Sequence, residues 1–198
     1  MLKKLDKYVS LTFDDGPSPY TFYILDILKR NHVPATFFVV GSEAKKFPGL
    51  IQRIHSEGHV IGNHTWSHPN ITTLSKNQII NEIQSTNNQI EKLIGTSPIL
   101  FRAPYGAIGN KTEAIIKKLG MTSVLWNVDS QDWYEDSPLA IEQHVISDIQ
   151  TNSLIVMHDG DQYGSGPRDQ TIEALNHIIQ YLKNNDYQFI TVPKYLKL

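Results

Sequence analysis

Two histidines stand four residues apart in the stretch Asn63-His64-Thr65-Trp66-Ser67-His68-Pro69. Apolar Val60 and Ile61 precede them, and a proline closes the stretch. Histidines at this spacing can aim two imidazole nitrogens at one point, which a zinc-type cation requires of its first two ligands. The same spacing also occurs in surface loops whose histidines share no task. A distant stretch, Thr12-Phe13-Asp14-Asp15-Gly16-Pro17, offers two adjacent carboxylates at the end of an apolar run. Two neutral imidazoles and one carboxylate make a three-ligand set with a position left for water, the pattern of a catalytic rather than a structural site. Neighbouring residues at a strand end point in different directions, so one of Asp14 and Asp15 can bind a cation while the other faces substrate. A cation lowers the pKa of the water it binds, and a nearby carboxylate can take the proton. An arginine can hold that carboxylate ionised, and a histidine across the site can protonate a leaving group. These parts add up to metal-assisted hydrolysis of an amide or an ester.

The elements that must position these groups alternate along the chain. Strands are expected over residues 8–13, 35–40, 59–63, 98–102, 122–128, 153–157 and 187–192. Helices are expected over 20–30, 47–57, 75–94, 112–119, 137–149 and 169–184. Ser18 reads as an N-cap with Pro19 at the first helical position, Ser75 and Gln78 as a capping box, and Gly58, Gly95 and Gly120 as helix terminators. Such alternation implies an α/β protein with a parallel sheet, either a closed or nearly closed barrel or an open doubly wound sheet. The barrel is favoured because Asp14-Asp15, His64 with His68, Arg102 to Tyr105, Asp129 to Trp133, and His158-Asp159 each follow a strand. In a (β/α) barrel those ends converge on one face. No G-x-G-x-x-G or phosphate loop follows the first strand, which argues against a dinucleotide-binding sheet.

At 198 residues the chain is expected to form one domain, residues 8–198, behind a short N-terminal tail, residues 1–7. With 40% hydrophobic and 19% charged residues, the composition is that of a globular protein and not of a disordered one. A net charge of -2 without a dense basic patch argues against a nucleic-acid partner. The absence of cysteine excludes disulfides, thiolate zinc sites and cysteine nucleophiles. No apolar run reaches membrane-spanning length, and no signal peptide precedes Tyr8. Any segment that directs export would therefore lie outside this chain.

Together these stretches resemble the polysaccharide deacetylases of the NodB-homology type, carbohydrate esterase family 4, over nearly the whole chain, and all five motifs of that family occur in order. The resemblance implies a distorted (β/α)7-8 barrel in a single domain. Thr12 to Gly16 is similar to the first motif, which implies Asp14 as base and Asp15 as metal ligand. His64 to Pro69 is similar to the second and implies His64 and His68 as the other two ligands. Arg102-Ala103-Pro104-Tyr105 is similar to the third. It implies that Arg102 orients Asp14, that the Tyr105 N–H helps bind an oxyanion, and that Pro104 and Tyr105 belong to the substrate site. Asp129 to Trp133 is similar to the fourth, with Asp132 paired to the catalytic histidine and Trp133 walling the groove. Val156-Met157-His158 is similar to the fifth, with His158 as general acid. Val156 stands where the family usually has leucine, against the acetyl methyl.

The activity implied is removal of N-acetyl groups from N-acetylglucosamine units of peptidoglycan or a chitin-like oligomer, releasing acetate, with Zn²⁺ or another divalent metal such as Co²⁺. The alternatives are O-deacetylation of acetylated xylan and a wall-binding module without catalysis. A monomer acting on a polysaccharide, extracellular or at the wall of a bacterium, is expected. Outside the motifs, His32, His55, His59, His144 and His177 are expected to be surface or core histidines. Asp129 is expected to cap a loop, and Asp159 to be either a supporting or a purely structural carboxyl. Trp66 and Trp126 are expected in the core, and Trp133, Tyr105 and Tyr163 to offer stacking surfaces for a sugar ring.

Overall fold

The computed structural model describes residues 6–161 and 167–198. β1 (Lys7–Asp14) is the central strand, and its side chains alternate between two environments. Val9, Leu11 and Phe13 enter the main apolar core, while Thr12 and Asp14 turn to the concave side, where Arg102 meets both. β1 pairs in parallel with β2 (Ala35–Val39) on one side and β7 (Asn152–His158) on the other. Beyond β2 follow β3 (Val60–Asn63), β4 (Leu100–Phe101) and β5 (Thr122–Ser123), and beyond β7 follows β6 (Val128–Asp129). β8 (Tyr187–Phe189) pairs with the start of β1.

This order places β5 and β6, close neighbours in sequence, at opposite ends of the sheet. Residues 124–127 cross the gap, with the Val124 N–H on the Phe101 carbonyl (2.8 Å) and the Asn127 N–H on the Leu154 carbonyl (3.1 Å). The sheet is therefore a curled half-barrel whose open seam is spanned by the chain itself, the nearly closed form of the expected barrel. The expected strand over 122–128 breaks into two because the Val124 and Leu125 carbonyls accept from Arg102 (3.3 and 3.4 Å) instead of extending a ladder.

The helices obey their end signals. α1 (Pro19–Asn31) opens on Ser18, whose Oγ accepts from the Tyr20 N–H (3.0 Å), and Thr21 completes a capping box. α4 (Lys76–Ile94) has the Ser75–Gln78 box and ends at Gly95, φ 77. α5 (Asn110–Lys118), α6 (Pro138–Asp148) and α7 (Asp169–Asn184) lie close to their expected positions. Two short helices were not expected. α2 (Gly41–Lys46) precedes α3 (Pro48–Ser56), the two separated at Phe47 because Pro48 restricts the residue before it. α8 (Val192–Leu196) replaces the last part of the expected strand over 187–192, with Pro193 inside its first turn and the Val192 N–H donated to Thr36 Oγ1 (3.1 Å) rather than to a ladder.

The largest core lies between the convex sheet face and the helices, where Phe13 and Phe37 stack at 5.0 Å. Each fully buried Leu, Ile or Phe there contributes about 1.5–3 kcal/mol. A second core joins Phe101 and Met121 to Ile79 and Ile83 of α4 and to Ile115 and Ile116 of α5. The third fills the concave side with Phe38, Leu100, Val124, Leu154 and Val192, with Tyr195 of α8 packed against it. α8 thus contributes to the filling of the half-barrel, whose strand ends on the opposite face carry the polar clusters.

Candidate functional site

Asp15, His64 and His68 converge although they come from two different loops. Asp15 follows the last residue of β1 with φ 75, a left-handed conformation that swings its carboxylate away from that of Asp14. Its Oδ1 lies 3.3 Å from His64 Nε2 and 3.0 Å from His68 Nε2. Ligand atoms on adjacent corners of a tetrahedron with bonds of about 2.0–2.1 Å are themselves about 3.3 Å apart. The donor set therefore fits a zinc-type cation in chemistry and in spacing. His64 Nδ1 faces the Arg102 carbonyl at 2.8 Å. A carbonyl only accepts, so Nδ1 carries the proton and Nε2 keeps its lone pair for a cation. Burial pushes the Asp15 carboxyl up, but the nearby His64, His68 and His158 rings outweigh it and hold Asp15 well below the usual carboxylate range.

Beside this set lies a buried ion pair. Arg102 is fully buried, and its Nη1 donates to Asp14 Oδ1 and to Thr12 Oγ1, each at 2.7 Å. Its guanidinium also lies over the Phe38 ring (4.1 Å) and near that of Trp126 (5.5 Å). Burial lowers the arginine's pKa and Asp14 opposes that shift without cancelling it. Hydrogen bonds to Asp14, Thr12 and the seam carbonyls offset the cost of burying the charge.

Across the cleft, His158 Nδ1 meets Asp132 Oδ1 at 2.7 Å, and the His158 N–H donates to Asp132 Oδ2 at 2.8 Å. Thr171 Oγ1 (2.8 Å) and Ser130 Oγ (3.0 Å) also donate to the Asp132 carboxylate. Burial raises the Asp132 carboxyl, but the charge and hydrogen bonds of His158 bring it below its ordinary value. Burial disfavours the imidazolium of His158, yet Asp132, helped by Asp15 and Asp14, pushes its pKa up to about 9. His158 is therefore held protonated at neutral pH with its other nitrogen available to the cleft.

Asp159 resolves as a structural support. Its Oδ1 accepts from the Gly16 N–H (3.1 Å) and its Oδ2 from Thr21 Oγ1 (2.6 Å). Burial, reinforced by the charge of Asp15 and opposed by the Thr21 hydrogen bond, raises it to about 7. The contact demands glycine at position 16, where a Cβ would meet the carboxylate at 2.1 Å.

The cleft above these groups measures about 600 Å³. Tyr105 and Trp133, each 59% exposed, stand on its rim, and buried Val156 forms part of its wall. Tyr105 sits at φ 61, and its ring packs edge-on to His68 at 4.9 Å. Pro104, expected at the substrate site, is buried beneath and starts the short turn that presents Tyr105. Trp126, expected in the core, is half-buried: it packs against the third core and also lines the cleft. Trp66 is half-buried. Asp129 caps a turn as expected, accepting from the Gln131 N–H at 2.9 Å, and also borders the cleft. Asp161 and Arg168 border it without having been singled out. Arg168 is buried with Nε on the Gly160 carbonyl (2.7 Å), a placement no spacing in the sequence announces. Tyr163 lies outside the described residues. The five other histidines stay out of the cleft; His59 is buried with Nδ1 accepting from the Ala35 N–H (3.1 Å).

Comparisons with known proteins agree with this geometry. The family described as Polysaccharide deacetylase matches residues 2–124. The chain is 39% identical over 186 residues to a peptidoglycan-N-acetylglucosamine deacetylase of Bacillus cereus, covering 93% of this chain and 66% of that relative. It therefore spans slightly less than two thirds of that protein's length. It is 34% identical to a chitooligosaccharide deacetylase of Rhizobium leguminosarum bv. trifolii, covering 96% of this chain and 92% of the relative. A crystal structure of a peptidoglycan N-acetylglucosamine deacetylase superposes with a TM-score of 0.91 at 37% identity, covering 97% of this chain and 89% of the other. The chain belongs to the polysaccharide deacetylase family, the NodB-homology fold of carbohydrate esterase family 4.

Proposed function

We propose that the protein is a metal-dependent N-deacetylase of N-acetylglucosamine units in peptidoglycan or a chitin-like oligosaccharide. The observation that carries this reading is the meeting of the Asp15–His64–His68 set, the Asp14–Arg102 pair and the Asp132–His158 pair around one cleft. Asp15, His64 and His68 would hold a divalent cation, Zn²⁺ or Co²⁺, which when bound supplies Lewis-acid polarisation and a water of lowered pKa. Arg102 keeps Asp14 oriented toward the cleft, where the carboxylate takes the proton of the attacking water. Water adds to the acetamide carbonyl, and the Tyr105 N–H is assigned to the oxygen on which charge develops. His158 then gives its proton to the nitrogen as the C–N bond breaks, leaving a free amine and acetate. Val156 packs against the acetyl methyl, while Tyr105 and Trp133 stack on the sugar.

A histidine held protonated up to about pH 9 favours an amide over an acetyl ester, because an amine leaving group needs a proton and an alkoxide needs it less. The intact ligands and acid–base pairs oppose a silent binding module. Residues 8–198 are assigned as the catalytic unit, acting as a monomer at a bacterial cell wall. No helix among the described residues is long and apolar enough to cross a membrane. The test is acetate release by Zn²⁺- or Co²⁺-loaded protein from peptidoglycan, chitin oligomers and acetylated xylan. The reading expects release from an N-acetylglucosamine polymer that a chelator abolishes. Release from xylan alone, or from none of the three, contradicts it.

A further inference from the structure

Glu82 lies half-buried on α4 and approaches the histidine-bearing turn from outside the cleft. Every backbone N–H of that turn has an acceptor. The His64 N–H donates to the Val39 carbonyl (2.9 Å), the Thr65 N–H to Asn63 Oδ1 (2.8 Å) and the His68 N–H to Thr65 Oγ1 (3.1 Å). The two central ones, from Trp66 and Ser67, both go to Glu82 Oε2 (2.8 and 2.9 Å), and Ser67 Oγ donates to Oε1 (2.9 Å). From the other side, the Gly41 and Ser42 N–H groups of α2 donate to the Thr65 and Trp66 carbonyls (2.9 and 3.0 Å). Thr65 (φ 68) and His68 (φ 55) are left-handed without being glycine, a conformation that persists only where the surroundings hold it.

The two histidines are held differently. The His64 ring is tied at Nδ1 to the Arg102 carbonyl. His68 Nδ1 is buried with no hydrogen-bond partner among the described residues. Ligating histidines usually owe their orientation to a partner on the second nitrogen. The aim of His68 must instead come from its backbone turn and from its contact with the Tyr105 ring.

We propose that Glu82 is a positioning residue for the metal site, setting the aim of His68 by fastening the turn that carries it. The inference rests on Asp15, His64 and His68 being the ligand set. The experiment measures the Zn²⁺ dissociation constant by chelator competition, and the visible spectrum of bound Co²⁺, for wild type, Glu82→Ala, Glu82→Gln and His68→Ala. Melting of each metal-free protein establishes that it is folded at the temperature used. Glu82→Ala is expected to bind Zn²⁺ about 10–100-fold more weakly, the usual effect of losing a group behind a ligand, with an altered Co²⁺ spectrum. Glu82→Gln is expected to return within a few-fold of wild type, since one amide oxygen can accept both the Trp66 and Ser67 N–H groups. A purely structural role would lower the melting temperature and leave metal affinity and spectrum unchanged. Wild-type affinity in Glu82→Ala beside a large loss in His68→Ala overturns the proposal, and so does equal weakening in the alanine and glutamine variants. Wild-type affinity in His68→Ala would instead overturn the ligand set itself.

Discussion

The two acid–base pairs of the cleft are built from different materials. On the β1–β4 side, Asp14 is paired with an arginine that keeps its charge at any pH the protein meets, sealed between Phe38 and the open seam. On the β6–β7 side, Asp132 is paired with a histidine that can give its proton away. In the proposed reaction the first pair fixes a carboxylate that must accept a proton and needs only orientation. The second holds a proton ready for release, so its cation must titrate. The difference lies in one residue type at each of two strand ends, and under the proposed function it divides the roles of base and acid.

The largest expected effect comes from Arg102→Ala. It leaves Asp14 buried without a cation and removes the donor to the seam carbonyls of Val124 and Leu125. Breaking a buried pair from one side costs about 3–5 kcal/mol. Denaturant unfolding of the metal-free variant should show a loss of that order, and a loss below about 1 kcal/mol would mean that the arginine does not hold the seam.

The histidine side should reveal itself by pH. A group whose pKa is raised on folding contributes stability that is fully present below its unfolded pKa, about 6.5, and is lost as pH rises through the folded value, here about 9. The lowered carboxyl of Asp132 sets the other limit, so the pair weakens again as pH falls below about 4. The shift of His158 corresponds to on the order of 3 kcal/mol. Asp159, raised by burial to about 7, adds a fall in stability with rising pH at lower pH, between about 4 and 7. Unfolding of metal-free wild type and His158→Gln across pH 6–10 isolates the histidine, because only the wild type should lose stability steeply between about 6.5 and 9. Parallel curves would sever the pair's charge from the fold.

A smaller effect is expected of Asp14→Asn, an isosteric change that keeps a partner for Arg102. Zn²⁺ affinity should stay near normal while kcat falls about 10²-fold, equally for amide and ester substrates, since both need the attacking water deprotonated. Loss of the metal in this variant would exchange the roles of Asp14 and Asp15.

The catalytic side of this contrast was legible in the chain because each group follows a strand within a short motif, and parallel strand ends converge. Asp15 with His64 and His68, Arg102 with Asp14, and Asp132 with His158 are all brought together as expected. What supports them was not legible. Glu82 acts through a turn 15–16 residues away in sequence, and helix periodicity marks it only as a half-exposed position of α4. The break at 124–127, which sets Trp126 between the third core and the cleft, follows from where β5 and β6 lie in the sheet. α2 and α8 are too short for periodicity to register, and their reason for being helical is tertiary.

The division of labour between the pairs is tested most directly by His158→Ala on two substrates, an N-acetylglucosamine oligomer and an aryl acetate, with one metal-loaded preparation. An amide nitrogen must be protonated as its bond breaks, whereas a phenolate departs unaided. The variant should lose about 10²–10⁴-fold on the amide and much less on the aryl ester. Equal losses on both would show that His158 serves the cation or the oxyanion, and that the proton comes from elsewhere.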